Sequence, residues 1–244
     1  MFVFITKQTF IMKNIYVLGF ASAMMLLSCG EKKSSAEAET AATEVEEPKS
    51  DLTITYTNQD PTLDPKFEEE FKSIINEVYP KMMNDFNKDA RTDLAIKIDT
   101  AYDGVAYAHN GQVVVASQWL HKKPEDTDLM THEVMHIIQS YPNNAGPGWL
   151  TEGIADYVRY KYGVDNEKAG WSLTPFNEKQ HYTNAYRITA RFLVWISQNY
   201  DENLVPKMDK NLRAKTYIDE LWKEYTGHTV DELWEEYSKN PELS

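Results

Sequence analysis

The five residues His132-Glu133-Val134-Met135-His136 form an HExxH motif, a pattern whose residue types and spacing suit metal-assisted hydrolysis. They fall in a stretch that is predicted to be helical. The two histidines therefore lie on one helical face, and both imidazoles can reach a single Zn²⁺ ion. Glu133 projects from the neighbouring position, where it can accept a proton from a water that the metal activates. The alternative interpretation is a pair of solvated histidines on an ordinary helix.

A hydrolytic zinc site needs a third protein ligand, and Glu152 is the best candidate. The segment 141–148, between His136 and Glu152, is rich in turn formers, so the chain can reverse there and bring Glu152 back to the histidines. Asp156 lies one helical turn later and could accept a hydrogen bond from the non-ligating nitrogen of a zinc histidine. The alternative for both acids is an exposed helix surface, but their apolar neighbours favour a half-buried helix.

Four stretches of the chain together resemble the basic secretory protein family of plants and bacteria. They are HEVMHIIQ, PGWLTEGIADYVR, YRITARFLVWI and a C-terminal element formed by Leu233, Trp234 and Tyr237. The resemblance covers residues 52 to 238, and the family is regarded as peptidase-like and related to the gluzincin metallopeptidases. It implies that His132, His136 and Glu152 are zinc ligands and that Glu133 is the catalytic base. The chain departs from the family's "basic" label because it is acidic.

Tyr186 is a candidate for stabilising the oxyanion of a tetrahedral intermediate. It opens the apolar segment 186–197, and in gluzincin relatives a tyrosine in a comparable later helix fills this role. Tyr182 and His181 are rivals for it, and the alternative for Tyr186 itself is a packing role.

The order of the predicted elements indicates an α+β fold. Alternation predicts strands at 52–57 and 94–98, and Asn110-Gly111 predicts a hairpin over 105–115. Helices are predicted for 65–86, for the motif segment up to about Ser140, and near 149–162, 183–199, 203–213, 216–225 and 229–238. We expect a short, mostly antiparallel N-terminal sheet with helices, followed by a helical subdomain. The motif helix and the helix of Glu152 should form a zincin-like pair.

Two local details bear on the predicted site. Asp126 or Thr127 could cap the N-terminus of the motif helix. The strand Val113–Ser117 directly precedes that helix, and it is a candidate for a free sheet edge to which an extended peptide could add. The alternative is an internal strand with no free edge.

Residues 1–28 resemble a bacterial lipoprotein signal peptide. Lys13 precedes an apolar run, 15–27, that is too short for a transmembrane helix and ends at Cys29, the only cysteine of the chain. We expect Cys29 to be lipidated and to become the mature N-terminus; the alternative is a plain secretory signal with an incidental cysteine. Residues 29–50 are predicted to be a disordered acidic tether after the lipid, and 51–244 a single metallopeptidase domain.

The charge balance excludes some partners. The chain carries 25 Lys and Arg against 38 Asp and Glu, a formal net charge of −13 at pH 7. Nucleic acid requires a basic surface, and an anionic membrane would repel this domain, so attachment to a membrane would rest on the lipid. The expected partners are a peptide or protein substrate and a membrane reached through Cys29. Nothing in the sequence predicts an oligomeric state.

Together these features predict a zinc-dependent peptidase, with Zn²⁺ as its cofactor, that a lipid anchors in a bacterial cell envelope. It would face the outside of the outer membrane or the periplasm. The main alternative is a catalytically inactive peptide- or surface-binding module that retains a zincin fold. A purely structural zinc site is disfavoured, because such sites usually have four ligands rich in cysteine.

Overall fold

The computed structural model describes residues 52–244, which contain four β-strands and eight α-helices. This composition confirms the predicted α+β class. The strands are β1 (Thr53–Asn58), β2 (Asp93–Asp99), β3 (Ala106–His109) and β4 (Gln112–Ala116). The helices are α1 (Lys66–Asp85), α2 (Ser117–Lys122), α3 (Leu129–Gln139), α4 (Gly148–Tyr162), α5 (Tyr186–Asn199), α6 (Leu204–Ala214), α7 (Glu220–Thr226) and α8 (Val230–Lys239). A 3-10 helix, Tyr182–Asn184, precedes α5. The predicted signal peptide, lipidated cysteine and tether lie outside the described residues.

The sheet is mixed, with strand order β1-β2-β4-β3. β1 pairs with β2 and β2 pairs with β4 in parallel, whereas β3 and β4 are antiparallel. The expectation of a mostly antiparallel sheet is therefore wrong. The cause is α1, a 20-residue helix between β1 and β2, because such a crossover returns the chain to the same end of the sheet and makes the two strands parallel.

α1 is held to the rest of the protein by one apolar stripe. The buried residues of that stripe are Phe67, Phe71, Ile74, Ile75, Val78, Tyr79 and Met82. They share one hydrophobic core with the inward-facing residues of β2 and with α3, against which α1 packs. The helix continues without interruption through Pro80.

The hairpin β3–β4 forms where the sequence predicts it. Asn110 and Gly111 both have positive φ, 49° and 79°, as a tight two-residue turn with the twist of the strands requires. Because β3 folds back along one side of β4 and β2 occupies the other, β4 is internal. Its predicted role as a free edge is wrong, and the exposed edge beside the motif helix is β3 instead.

α3 and α4 pack against each other, as predicted for the site's helix pair. Ser140 ends α3 in a left-handed conformation with φ 43°, which lets the chain reverse direction toward α4. The predicted capping by Asp126 or Thr127 is wrong, since the residue that precedes α3 is Asp128. The carboxylate of Asp126 instead accepts hydrogen bonds from α2 and α4, so its tertiary partners replace a local cap.

The C-terminal helices complete the core. α5 packs on α4, and both α6 and α8 pack on α5. Trp195, Trp222 and Trp234 are all buried in this core. Among residues 52–244, no helix combines the length and the apolar character that crossing a membrane would need.

A glycine sets how closely α4 and α5 approach. A Cβ atom at Gly153 would lie 2.3 Å from Cγ2 of Thr189, a fully buried residue of α5. We expect Gly153→Ala to lower the free energy of unfolding by about 1–2 kcal/mol, because the helices must separate to accommodate the methyl group. Urea denaturation measures this change.

Gly148→Ala is the matched control, since a Cβ at Gly148 meets nothing within 4 Å. It should be neutral or stabilising by up to about 1 kcal/mol, because alanine favours the helix. Equal stability of the Gly153→Ala variant and the unsubstituted protein would contradict the close packing.

Candidate active site

Three side chains from α3 and α4 meet at one point. The Nε2 atoms of His132 and His136 are 3.2 Å apart. Oε2 of Glu152 lies 3.3 Å from the first of these nitrogens and 3.5 Å from the second. This is the group that the sequence predicts, and its ligand atoms all lie within 4.8 Å of one another. The arrangement could hold a metal ion.

The outward nitrogen of each histidine has its own partner. Nδ1 of His132 is 2.7 Å from Oδ1 of Asp156, the position predicted for this acid. Nδ1 of His136 is 2.7 Å from Oε1 of Gln139, whose amide also donates to the backbone oxygen of Thr151 at 3.0 Å. With Nδ1 protonated and donating to these oxygens, both Nε2 lone pairs point inward.

Gln139 is a functional candidate that the sequence reasoning missed. It lies three residues after His136, and that spacing puts it on the same helical face. This is the one signal that could have identified it.

The electrostatics of the cluster favour a positive charge. Burial by itself lowers the pKa of His132, but its hydrogen bonds with Asp156 and Glu152 outweigh that and raise the pKa to about 10. Burial raises the pKa of Glu152, yet its contacts with both histidines hold that pKa far below its usual range. Two inward-facing imidazole nitrogens and a carboxylate at such short distances therefore fit a divalent cation as a common partner.

Glu133 lies beside the cluster and not within it. The residue is 7% exposed, and burial raises the pKa of its carboxyl group. Its Oε2 atom is buried and has no hydrogen-bond partner among residues 52–244. A buried polar atom is rarely left without a partner, so this oxygen is available for a group that enters the cleft.

Tyr186 is the only one of the three predicted oxyanion candidates that lines the cleft. Its ring stacks over that of His132 with 6.1 Å between centroids, and it is 54% exposed. Glu152 and partial burial raise the pKa of its phenol, so the hydroxyl stays protonated at neutral pH. Tyr182 is buried, and its hydroxyl donates to Asp231 at 2.6 Å. The side chain of His181 lies beside Thr183 at the start of the 3-10 helix.

The cluster opens into a cleft of about 1060 Å³. One wall is formed by the edge strand β3, which contains Tyr107, and by Tyr102 from the loop before it; the two tyrosine rings meet edge to face at 5.0 Å. Burial raises the pKa of the Tyr102 phenol, and the nearby carboxylate of Glu133 raises it further. The sequence reasoning missed both tyrosines, because nothing in their local spacing shows that the β2–β3 loop folds over the motif helix.

The fold and the cluster define an α+β protein with a possible two-histidine, one-glutamate metal centre at the bottom of an open cleft. The chain belongs to a family described as peptidase of plants and bacteria, whose model matches residues 56–237. The predicted membership in the basic secretory protein family is thereby confirmed. Comparisons with curated proteins and with solved structures give no match.

The hydrogen-bond partners of both histidines should strengthen metal binding. We expect Asp156→Asn and Gln139→Leu each to weaken metal affinity by about 10- to 100-fold. The first removes the negative charge that increases the basicity of His132. The second removes both the oxygen that accepts a hydrogen bond from His136 and the amide that donates one to the backbone oxygen of Thr151.

Competition between the protein and a chromogenic chelator for Zn²⁺ or Co²⁺ measures these affinities directly. Gln198→Leu serves as a control, because Gln198 forms its hydrogen bonds with Ser244 at the far end of α5. Metal affinities that are unchanged in both site variants would show that the histidines need no orienting partner.

Proposed function

We propose that this protein is a zinc-dependent peptidase. The observation that supports this most directly is the convergence of His132, His136 and Glu152 beside the partnerless buried oxygen of Glu133. The peptidase description of the family points the same way. A bound Zn²⁺ ion would supply Lewis acidity, which lowers the pKa of water and polarises a peptide carbonyl.

Glu133 would move the protons of the reaction. Its carboxylate is held next to the cluster but is not part of it, so it can accept a proton from the attacking water. The same group can then deliver that proton to the nitrogen of the departing amine. Because Glu133 is only 7% exposed, its carboxylate has little contact with bulk water that would compete for this transfer.

Tyr186 would donate a hydrogen bond to the oxyanion that forms on the attacked carbonyl. Its phenol stays protonated at neutral pH and stands over the imidazole of His132, at the mouth of the cleft. A donor held in advance where negative charge develops is among the strongest contributions to catalysis.

The substrate we propose is an extended peptide that lies along β3. This strand has a free edge, packs against α3 and lines the cleft, so its backbone can pair with a peptide that crosses the site. The excess of acidic residues in the chain argues against nucleic acid as a substrate.

We also propose that a lipid on Cys29 anchors the protein in a bacterial cell envelope and that residues 29–50 act as a tether. The support is the apolar run that ends at this single cysteine and the acidic, low-complexity segment after it. Metabolic labelling with an alkyne fatty acid tests the anchor, because Cys29→Ala should abolish the labelling.

Removing the base should separate catalysis from metal binding. We expect Glu133→Gln to lower kcat by at least about 100-fold, because the amide cannot accept the proton. Bound zinc should stay at the level of the unsubstituted protein, because Glu133 is not in the ligand group. A peptide-library digest with and without chelator measures the first quantity, and metal analysis measures the second.

Glu125→Gln is a matched control from an exposed ion pair with Lys168 and should retain activity. Full activity of the Glu133→Gln variant would contradict its role as the base. Zinc binding without cleavage in the unsubstituted protein would favour the inactive binding module instead.

The role of Tyr186 is tested by removing one oxygen atom. We expect Tyr186→Phe to lower kcat by about 100-fold while KM and metal affinity change little, because the lost hydrogen bond forms mainly in the transition state. Steady-state kinetics on one peptide substrate give both constants. A change confined to KM would assign the tyrosine to substrate binding.

A further inference from the structure

Beyond the metal-binding cluster, the cleft is lined by two tryptophans. Trp119 of α2 and Trp171, from the loop after α4, both line the cleft and are only half-buried. Leu129, at the start of α3, also lines the cleft and is 3% exposed. We call these three residues the indole slot.

One buried ion pair holds the two indole walls in place. Oδ2 of Asp126 accepts a hydrogen bond from Nε1 of Trp119 at 3.0 Å, and Oδ1 accepts one from Nη2 of Arg159 at 2.5 Å. The guanidinium carbon of Arg159 lies 4.6 Å from the ring centroid of Trp171. The ion pair thus connects the walls, and Arg159 is only 5% exposed.

Both members of this ion pair already have further partners. Asp126 is satisfied by two donors, and Nε of Arg159 donates to Oδ1 of Asn166 at 2.9 Å. A charged side chain that entered would have to compete with these bonds at the cost of its own desolvation. Arg159 covers one face of Trp171, and the apolar surface that the two indoles and Leu129 present to the cleft suits a bulky apolar or aromatic side chain.

The slot lies close to the groups that would perform hydrolysis. Leu129 and Glu133 are four residues apart on one face of α3, a separation of about 6 Å along the helix axis. An extended peptide advances about 3.3 Å per residue and points its side chains away from its backbone. A residue next to the bond at Glu133 can therefore place its side chain in the slot.

We propose that the indole slot binds a bulky apolar or aromatic side chain of the substrate residue that directly flanks the scissile bond. It is the selectivity site of the cleft, and Asp126 and Arg159 are positioning residues that keep its walls apart. This inference rests on the proposed peptidase function, because it assigns the slot to a substrate of that reaction.

Two peptide series test the selectivity in the full-length protein. Each series varies one residue that flanks the cleaved bond, on either side, among Phe, Leu, Ala and Asp. One flanking position should show a kcat/KM that is at least about tenfold higher for Phe or Leu than for Ala or Asp. The readout for all variants is the ratio of kcat/KM for the Phe peptide to that for the Ala peptide.

Substitution of the walls should reduce this ratio. Trp171→Ala and Trp119→Ala should each lower it by about tenfold, and Arg159→Lys should lower it in the same direction because lysine lacks the planar fork. Tyr160→Ala is the matched control, since Tyr160 is an exposed aromatic of α4 that does not line the cleft, and its ratio should not change. Thermal unfolding identifies any variant that fails to fold, and the remaining wall variant then decides.

Binding separates this inference from the proposed function. The Glu133→Gln variant is titrated with the Phe and Ala peptides, and each Kd is measured. One outcome is that the unsubstituted protein cleaves no peptide, while the Glu133→Gln variant binds the Phe peptide at least about tenfold more tightly than the Ala peptide. If adding Trp171→Ala to that variant then removes the difference in Kd, the slot is supported and the peptidase function is contradicted. Cleavage without an apolar preference at either position, a preference that survives both tryptophan variants, or equal Kd values would overturn the slot.

Discussion

Two hydrogen bonds between α3 and α4 determine the geometry of the site. Asp156 and the backbone of Thr151, both on α4, bond with His132 and Gln139 of α3. They fix the separation and rotation of the helices, and Glu152 lies between the two α4 contacts. Glu152 therefore reaches the histidines because α4 is held to α3 by one contact before this residue and one after it. The turn at Ser140 only has to let the chain reverse direction.

The same contacts concentrate negative charge in a partly buried place. Glu133, Glu152 and Asp156 share the cleft with two imidazoles, and burial of such groups is unfavourable unless a positive charge compensates for it. The raised pKa of His132 favours the protonated form of its imidazole, which provides part of this compensation. A bound cation would displace that proton, so metal binding and the stability of α3 and α4 are expected to be coupled.

Local patterns of residues predicted which side chains would lie close together, where these share one helix or lie on two helices joined by one short reversal of the chain. The HExxH spacing and the positions of Glu152 and Asp156 are of this kind. The parallel strand pairs, the edge position of β3 and the indole slot depend on contacts between distant segments. Asp126 is instructive, because its type and position predict a helix cap, whereas two partners from α2 and α4 determine its actual role.

The start of α5 adds a different consequence. Ala185 and Tyr186 both have positive φ, 64° and 51°, and ψ of −174° places Ala185 in a region that is almost exclusive to glycine. Such residues cost of order 1–3 kcal/mol each, and the packed helices around them must supply that energy. The direction of the tyrosine ring is thus determined by the main chain. A substitution that relaxed this bend would relieve the strain and move the phenol out of its alignment over His132.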